Sequence, residues 1–238
     1  MGDTGIIDIS IQDNDHIFQK PERIIVTGTS NSGKTFLIEN LVRKFSHKFY
    51  RIIICGNKNK LLEFNETREK TSLFSSDTDI IYNPFLEIGQ YEVKKYPNQQ
   101  FLIIIDDLMD SVFKSTIVSD IFSKGRHINV SCIILNQCFC PNGTGTNLYP
   151  QIKNNATIHV FTKCRAANEV RLIASRLEFD KKSQDTFTNL YKKYVLEKKY
   201  GYIFVMMDSG DSKLKYCNNF LSEDGIFLKK QSRKKKDE

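Results

Sequence analysis

One short stretch concentrates residue types that could do chemistry: Gly28-Thr29-Ser30-Asn31-Ser32-Gly33-Lys34-Thr35. It meets the spacing G-x-x-x-x-G-K-[ST] at every defined position. A triphosphate has to be held without interference from Cβ atoms. Gly28 and Gly33 let the backbone come close and turn N–H groups toward phosphate oxygens. A helix starting near Gly33 adds the positive end of its dipole. Lys34 brings a full charge to the β- and γ-phosphates, and the Thr35 hydroxyl is a ligand for Mg2+.

Two further sites have matching chemistry. Asp106 and Asp107 follow the apolar run Phe101-Leu-Ile-Ile-Ile105. A carboxylate at such a strand end can hold Mg2+ opposite Thr35, the role assigned to Asp106. A second can polarise the water that attacks the γ-phosphorus, the role assigned to Asp107. The competing reading of Asp107 is an acidic helix start, Asp107-Leu-Met-Asp110. Gln137 closes the next apolar run, where its amide can bond the γ-phosphate or the attacking water; the alternative is a polar strand cap.

These residues need elements to position them. Arg23–Thr27 reads as a buried strand, and Phe36, Leu37, Leu41 and Phe45 recur at helical spacing behind the loop. Strands are also expected at Tyr50–Gly56, Asp79–Pro84, Phe101–Asp107, Ile128–Leu135 and Ala156–Phe161. The unbroken aliphatic run before Asp106 indicates a strand covered on both faces, as in a parallel sheet. Helices are expected over Glu87–Lys95, Ser111–Lys124, Ala166–Leu177 and Ser183–Leu196, and a loop over Cys140–Pro150. Tyr202–Met206 and Lys213–Tyr216 predict a terminal hairpin. Strands alternating with helices give an α/β fold with a central, mainly parallel sheet flanked by helices and a phosphate site at its carboxyl edge. The division expected is an N-terminal arm over 1–20, one domain over 21–228 and a charged tail over 229–238.

The bulk numbers fit one such domain. The chain has 238 residues, 40% hydrophobic and 11% aromatic, with a net charge of +7. That basic excess is compatible with nucleic acid without requiring it. Cys138-Phe-Cys140 is not a zinc spacing, and the other cysteines fall apart from it. With no signal peptide and no apolar run as long as a membrane span, a reducing intracellular setting is expected. Of two rival nucleotide readings, inspection rejects the first and disfavours the second without removing it. A GTPase needs an N/T-K-x-D segment late in the chain, and Asn57-Lys58-Asn59-Lys60 lacks the Asp. A small-molecule kinase needs an Arg-rich lid, whereas the arginines here are scattered.

Taken together, Gly28–Thr35, Ile105-Asp106-Asp107, Gly125-Arg126-His127 and Leu135-Asn136-Gln137 resemble the FtsK–HerA superfamily of DNA-pumping ATPases. The run Gly125–Gln137 is the most specific piece and is similar to the genome-packaging ATPases of poxviruses, other large DNA viruses, virophages and Polinton-like elements. Ile152–Asn155 and Arg165 look like that family's closing section, so the resemblance spans Arg23 to Leu177. Asp107 stands where cellular members carry Glu, and the viral branch shares the Asp-Asp pair. The resemblance implies a RecA-like P-loop NTPase fold, ATP and Mg2+ as cofactors, and a homo-oligomeric ring, a pentamer or a hexamer. It also implies ATP-driven movement of double-stranded DNA into a capsid, with capsid or portal vertex proteins as partners. A setting in the host cytoplasm, a viral factory or the virion follows.

Arg126 begins at the amino end of the strand that leads to Gln137, so it is expected to reach a neighbouring subunit's nucleotide rather than its own, a trans role the resemblance also implies. A surface ion pair is the competing reading, and Arg165 is the second candidate. Candidate DNA contacts are the loop Asn142–Lys153 and Lys181, Lys192, Lys193, Lys198 and Lys199; the alternative for these lysines is a solvated helix face. Two other function classes stay open at this level: a slow ATP-binding switch or scaffold, and a phosphotransferase for a small substrate.

Overall fold

The computed structural model describes residues 17–56, 79–82, 95–96, 98–106, 114–139, 148–164, 167–207, 212–216 and 225–228. Among the described residues six strands run parallel: β1 (Arg23–Thr27), β2 (Arg51–Gly56), β3 (Asp79–Tyr82), β4 (Phe101–Asp106), β5 (Val130–Asn136) and β6 (Ile158–Phe161). Three more, β7 (Ile203–Met206), β8 (Ser212–Tyr216) and β9 (Gly225–Leu228), extend the sheet antiparallel from β6. The order across the nine-stranded sheet is β3-β2-β4-β5-β1-β6-β7-β8-β9. The hairpin expected near the carboxyl end is present, with Ile203 paired to Tyr216, and β9 is a strand the pattern did not announce.

Aliphatic runs without polar alternation build the centre of this sheet. Every residue of β4 and β5 is buried, which requires cover on both faces. Alternate side chains supply two cores. On one face Ile24, Val26, Ile104 and Leu135 pack with Leu37, Ile38, Leu41 and Phe45 of α1 (Lys34–Phe45). On the other, Ile25, Ile103 and Ile134 meet Val118, Ile121 and Phe122 of α2 (Thr116–Lys124) and Ile152 of α3 (Tyr149–Asn154). A third cluster joins Phe161, Ile203 and Val205 to Ile173 of α4 (Ala167–Arg176) and to Phe187 and Tyr191 of α5 (Lys181–Tyr191).

Helix boundaries follow their caps. The Ser115 hydroxyl accepts from the Val118 N–H, and the Asp180 carboxylate accepts from the Ser183 N–H at 2.8 Å. The helix expected from Ser111 thus begins at Thr116 among the described residues. The span expected as one helix from Ser183 is α5 followed by a π-helical turn, Lys192–Leu196. Tyr149–Asn154 forms α3 where a loop was expected to run to Pro150, and burial of Tyr149 and Ile152 against the α2 side of the sheet explains it. Of the loop Asn142–Lys153 offered as a DNA contact, Leu148, Tyr149 and Ile152 pack on the core while Pro150 and Gln151 are exposed, and 142–147 lies outside the described residues. The helix expected over Glu87–Lys95 also falls outside them but for its last residue.

Ile17 and Phe18 belong to the core rather than to an arm. Phe18 is 2% exposed and meets the rings of Phe45 and Phe49 edge-on at 5.5 and 5.0 Å. Gln19 and Lys20, which end the expected arm, are exposed, and residues 1–16 and the expected tail, 229–238, lie outside the described residues. No helix among the described residues is long and apolar enough to cross a membrane.

Candidate functional site

Parallel register brings three neighbouring strand ends to one edge. Asp106 ends β4 beside Leu135, and Asn136 ends β5 beside Thr27, the last residue of β1. The chain leaves β1 as the loop Gly28–Gly33, which its neighbours hold from both sides. The Gly28 N–H donates to the Asn136 carbonyl at 3.1 Å and the Thr29 N–H to the Lys163 carbonyl at 2.9 Å. The Thr29 hydroxyl donates to that same Lys163 carbonyl at 3.0 Å. Thr162 is pinned in turn, its N–H donating to the Thr27 carbonyl at 2.8 Å.

Gly28 must be glycine here because a Cβ would run into Thr162 Oγ1 and lie 2.8 Å from Ser32 Oγ. Gly33 has φ 90°, a backbone state that favours glycine, and caps α1. Asn31 shares the left-handed region at φ 59°. Two successive bends turn the chain into α1 within a single loop, and Lys34 is its first helical residue. The Lys34 ammonium donates to the Gly28 and Thr29 carbonyls, both at 2.7 Å, which holds the charge inside the curve of the loop.

A cavity of about 450 Å³ opens in front of that charge, a size suited to a small-molecule ligand. Ser30, Asn31, Gly33, Lys34 and Thr35 line it from the loop and the first turn of α1. Asp106 and Gln137 line it from the ends of β4 and β5. Asp106 is 5% exposed, while Gln137 is open to solvent. A buried carboxylate facing a threonine hydroxyl across a polar cavity is a hard-oxygen donor set, which fits a divalent cation such as Mg2+.

Lys34, Thr35, Asp106 and Gln137 thus meet in one cavity, as the sequence pattern expected. The Ser32 side chain braces the loop from within. Its side chain is 6% exposed and shares a 2.6 Å hydrogen bond with Thr162 Oγ1. Arg126 sits in a 3-10 turn, Gly125–His127, ahead of β5 and so at the opposite edge of the sheet. Asp107 and Arg165 lie outside the described residues.

Three residues near the loop were missed by sequence reasoning. Thr162 braces the loop, and a hydroxyl one residue beyond a parallel strand was the available signal. Tyr191 braces Thr162: its buried hydroxyl donates to the Thr162 carbonyl at 2.7 Å and accepts from the Cys164 N–H at 2.8 Å. Burial raises the Tyr191 phenol well above its ordinary range, so it stays a neutral donor. Tyr200 lines the cavity from a turn beyond α5, and nothing local in the sequence pointed to it.

Comparison with known proteins gives this arrangement a family. The poxvirus A32 protein family matches residues 11–231. The DNA packaging protein OPG160 of Monkeypox virus is 28% identical over 144 residues, which cover 52% of this chain and 44% of that protein. Its counterpart in Vaccinia virus (strain Copenhagen) is 28% identical over the same length, covering 49% of that protein. The chain therefore spans about half the length of these relatives. Among solved structures, the genome packaging NTPase B204 of Sulfolobus turreted icosahedral virus 2 shares the fold. Its sulfate complex superposes with a TM-score of 0.54 at 18% identity, over 82% of this chain and 96% of that one. Its complex with ATP-gammaS gives 0.52 at 18% identity, over 88% and 97%. The RecA-like architecture expected from the resemblance is the one observed, and the chain belongs to the poxvirus A32 protein family.

Proposed function

We propose that this chain is the ATPase of a viral DNA-packaging machine, coupling ATP hydrolysis to movement of duplex DNA into a capsid. The observation that carries the reading is the convergence of Lys34, Thr35, Asp106 and Gln137 on one cavity in a chain of this family. The names of its relatives support DNA packaging as the process.

In this reading the loop N–H groups and the start of α1 cradle the phosphates. Lys34 lies between the loop carbonyls and the β- and γ-phosphates, and neutralises charge there. Thr35 and Asp106 would hold Mg2+, which when bound offsets charge on the phosphate oxygens. Gln137 hydrogen-bonds the γ-phosphate or the attacking water, and Asp107 orients that water. Arg126 serves a neighbouring subunit in a ring. The exposed lysines Lys181, Lys192, Lys193, Lys198 and Lys199 supply phosphate contacts to DNA.

The test is ATP turnover by the purified protein with and without linear duplex DNA across a salt series. A DNA-gripping motor gives turnover that DNA stimulates, with stimulation falling steeply as salt competes for the phosphates. Turnover indifferent to DNA would return the chain to the switch or scaffold class, and phosphorylation of a small acceptor would make it a phosphotransferase.

A further inference from the structure

Phe36 and Tyr200 are the most exposed aromatic side chains among the described residues. They are 54% and 46% exposed, yet their ring centroids lie 5.7 Å apart with planes at 36°. Both line the cavity beside the phosphate loop. A paired set of rings left half in water at the mouth of a polar cavity is surface that a flat ligand group can cover.

Tyr200 is held there by the backbone. A Cβ at Gly33 would lie 2.9 Å from Tyr200 Cδ1, so the ring rests directly on the loop glycine. On its other side, a Cβ at Gly201 would collide with the Tyr194 carbonyl oxygen and lie 2.8 Å from Val195 Cα. Tyr194 and Val195 belong to the π-helical turn Lys192–Leu196, a rare backbone form that recurs at functional positions. One contact from a distant glycine, Gly33, and a local π turn closed against Gly201 thus fix the ring against the nucleotide loop. The Lys199 ammonium lies 5.4 Å from the Tyr200 centroid on an exposed, flexible stem and can swing off the ring face.

We infer that Phe36 and Tyr200 form the platform on which the base of a purine nucleoside triphosphate stacks, while its phosphates occupy the loop Gly28–Thr35. The inference rests on the nucleotide-binding reading above and names the part of the ligand that the phosphate loop cannot recognise. Stacking uses the face of the base rather than its edge, so it favours the larger purine ring system without separating adenine from guanine.

Calorimetric titration of the full chain with Mg-ATP and with Mg-tripolyphosphate, which has no base, tests it. Tyr200→Ala is expected to lower ATP affinity by roughly 10- to 100-fold, the usual scale for losing one base stack. Tripolyphosphate affinity should stay at the parent value, and Tyr200→Phe should restore ATP binding. Equal loss of both ligands would mean that Tyr200 only braces the loop, and no loss of either would assign the ring to a protein contact; each outcome overturns the inference. A parent protein that binds neither ligand would instead sink the nucleotide reading itself. The chain has no tryptophan, so Tyr200→Trp gives a single reporter. Its emission should change with ATP and not with tripolyphosphate; the same response to both would overturn the stack.

Discussion

Ser32 Oγ and Thr162 Oγ1 share a buried hydrogen bond at 2.6 Å although 130 residues separate them in the chain. Thr162 also donates to the Thr27 carbonyl from its hydroxyl, at 3.2 Å, and from its N–H. A single side chain beyond β6 therefore ties the last residue of β1 to the middle of the phosphate loop. The loop's shape depends on β6 as much as on its own glycines.

Crowding at Gly28 makes this testable. Gly28→Ala places a methyl against Thr162 Oγ1 and Ser32 Oγ, so the loop must shift or the Thr162 bond must break. Nucleotide affinity should fall at least about tenfold, the consequence of roughly 1.4 kcal/mol of misplacement. Adding Thr162→Ala removes the clashing oxygen and should recover part of the loss, a coupling that a double-mutant cycle measures. Additive losses would mean that the two residues do not act on each other.

Asp107 carries a sequence-based assignment outside the described residues, and kinetics can examine it. Asp107→Asn keeps the size and removes the carboxylate proposed to orient water. Mg-ATP binding should survive while turnover falls by about 10²-fold or more. An unchanged rate in single-turnover assays would leave Asp107 as an acidic helix start.

How far the site was legible depended on how local each constraint is. Gly28, Gly33, Lys34 and Thr35 lie within one stretch of eight residues, and the strand and helix around them repeat their own apolar patterns, so this unit could be read directly. Asp106 was legible because the run before it reads as a doubly covered strand, and all six residues of β4, Asp106 among them, are buried. Thr162 and Tyr200 were not, because each acquires its role through contact with a glycine more than a hundred residues away. The short helix Tyr149–Asn154 was hidden by Pro150, which reads as a loop signal but sits in the first turn, where proline is tolerated.

His159 gives the fold a predictable acid response. It is 1% exposed, 5.6 Å from the Phe139 ring and 6.0 Å from that of Phe161, and its Nδ1 has no hydrogen bond among the described residues. Burial, and then the Lys153 charge, push its pKa from 6.5 down to about 3. Above pH 6.5 the folded and unfolded states are both neutral at this residue. As pH falls below that value the unfolded chain takes up a proton that the folded one refuses until about 3. Stability is lost across that window, by up to about 1.4 kcal/mol per pH unit. Urea unfolding of the parent and of His159→Phe, from neutral pH to about pH 4, isolates the effect from that of the carboxylates. The variant should show the shallower decline; parallel curves would mean that His159 is not the proton-linked group.

Arg126 supplies the last test, because its position excludes one role and favours another. It is exposed in the turn before β5, and its Nε donates to His127 Nε2 at 3.1 Å. Its charge is felt by Arg23, the first residue of β1, which places it at the amino edge of the sheet. Gln137 and the cavity lie beyond the other end of β5, and a seven-residue strand spans about 20 Å. An arginine side chain cannot cross that distance to its own phosphates. Head-to-tail packing in a ring would set this edge against a neighbour's cavity. There it could stabilise charge on the transferring phosphoryl group, an effect worth about 10³-fold or more. Arg126→Ala should then bind ATP normally and hydrolyse it poorly. Lys34→Ala should lose binding and turnover together, since it removes the cation inside the loop. Mixed, the two variants form interfaces at which an intact Arg126 faces an intact Lys34 loop, and activity should reappear there. A mixture no more active than the two proteins assayed apart would place Arg126 outside catalysis.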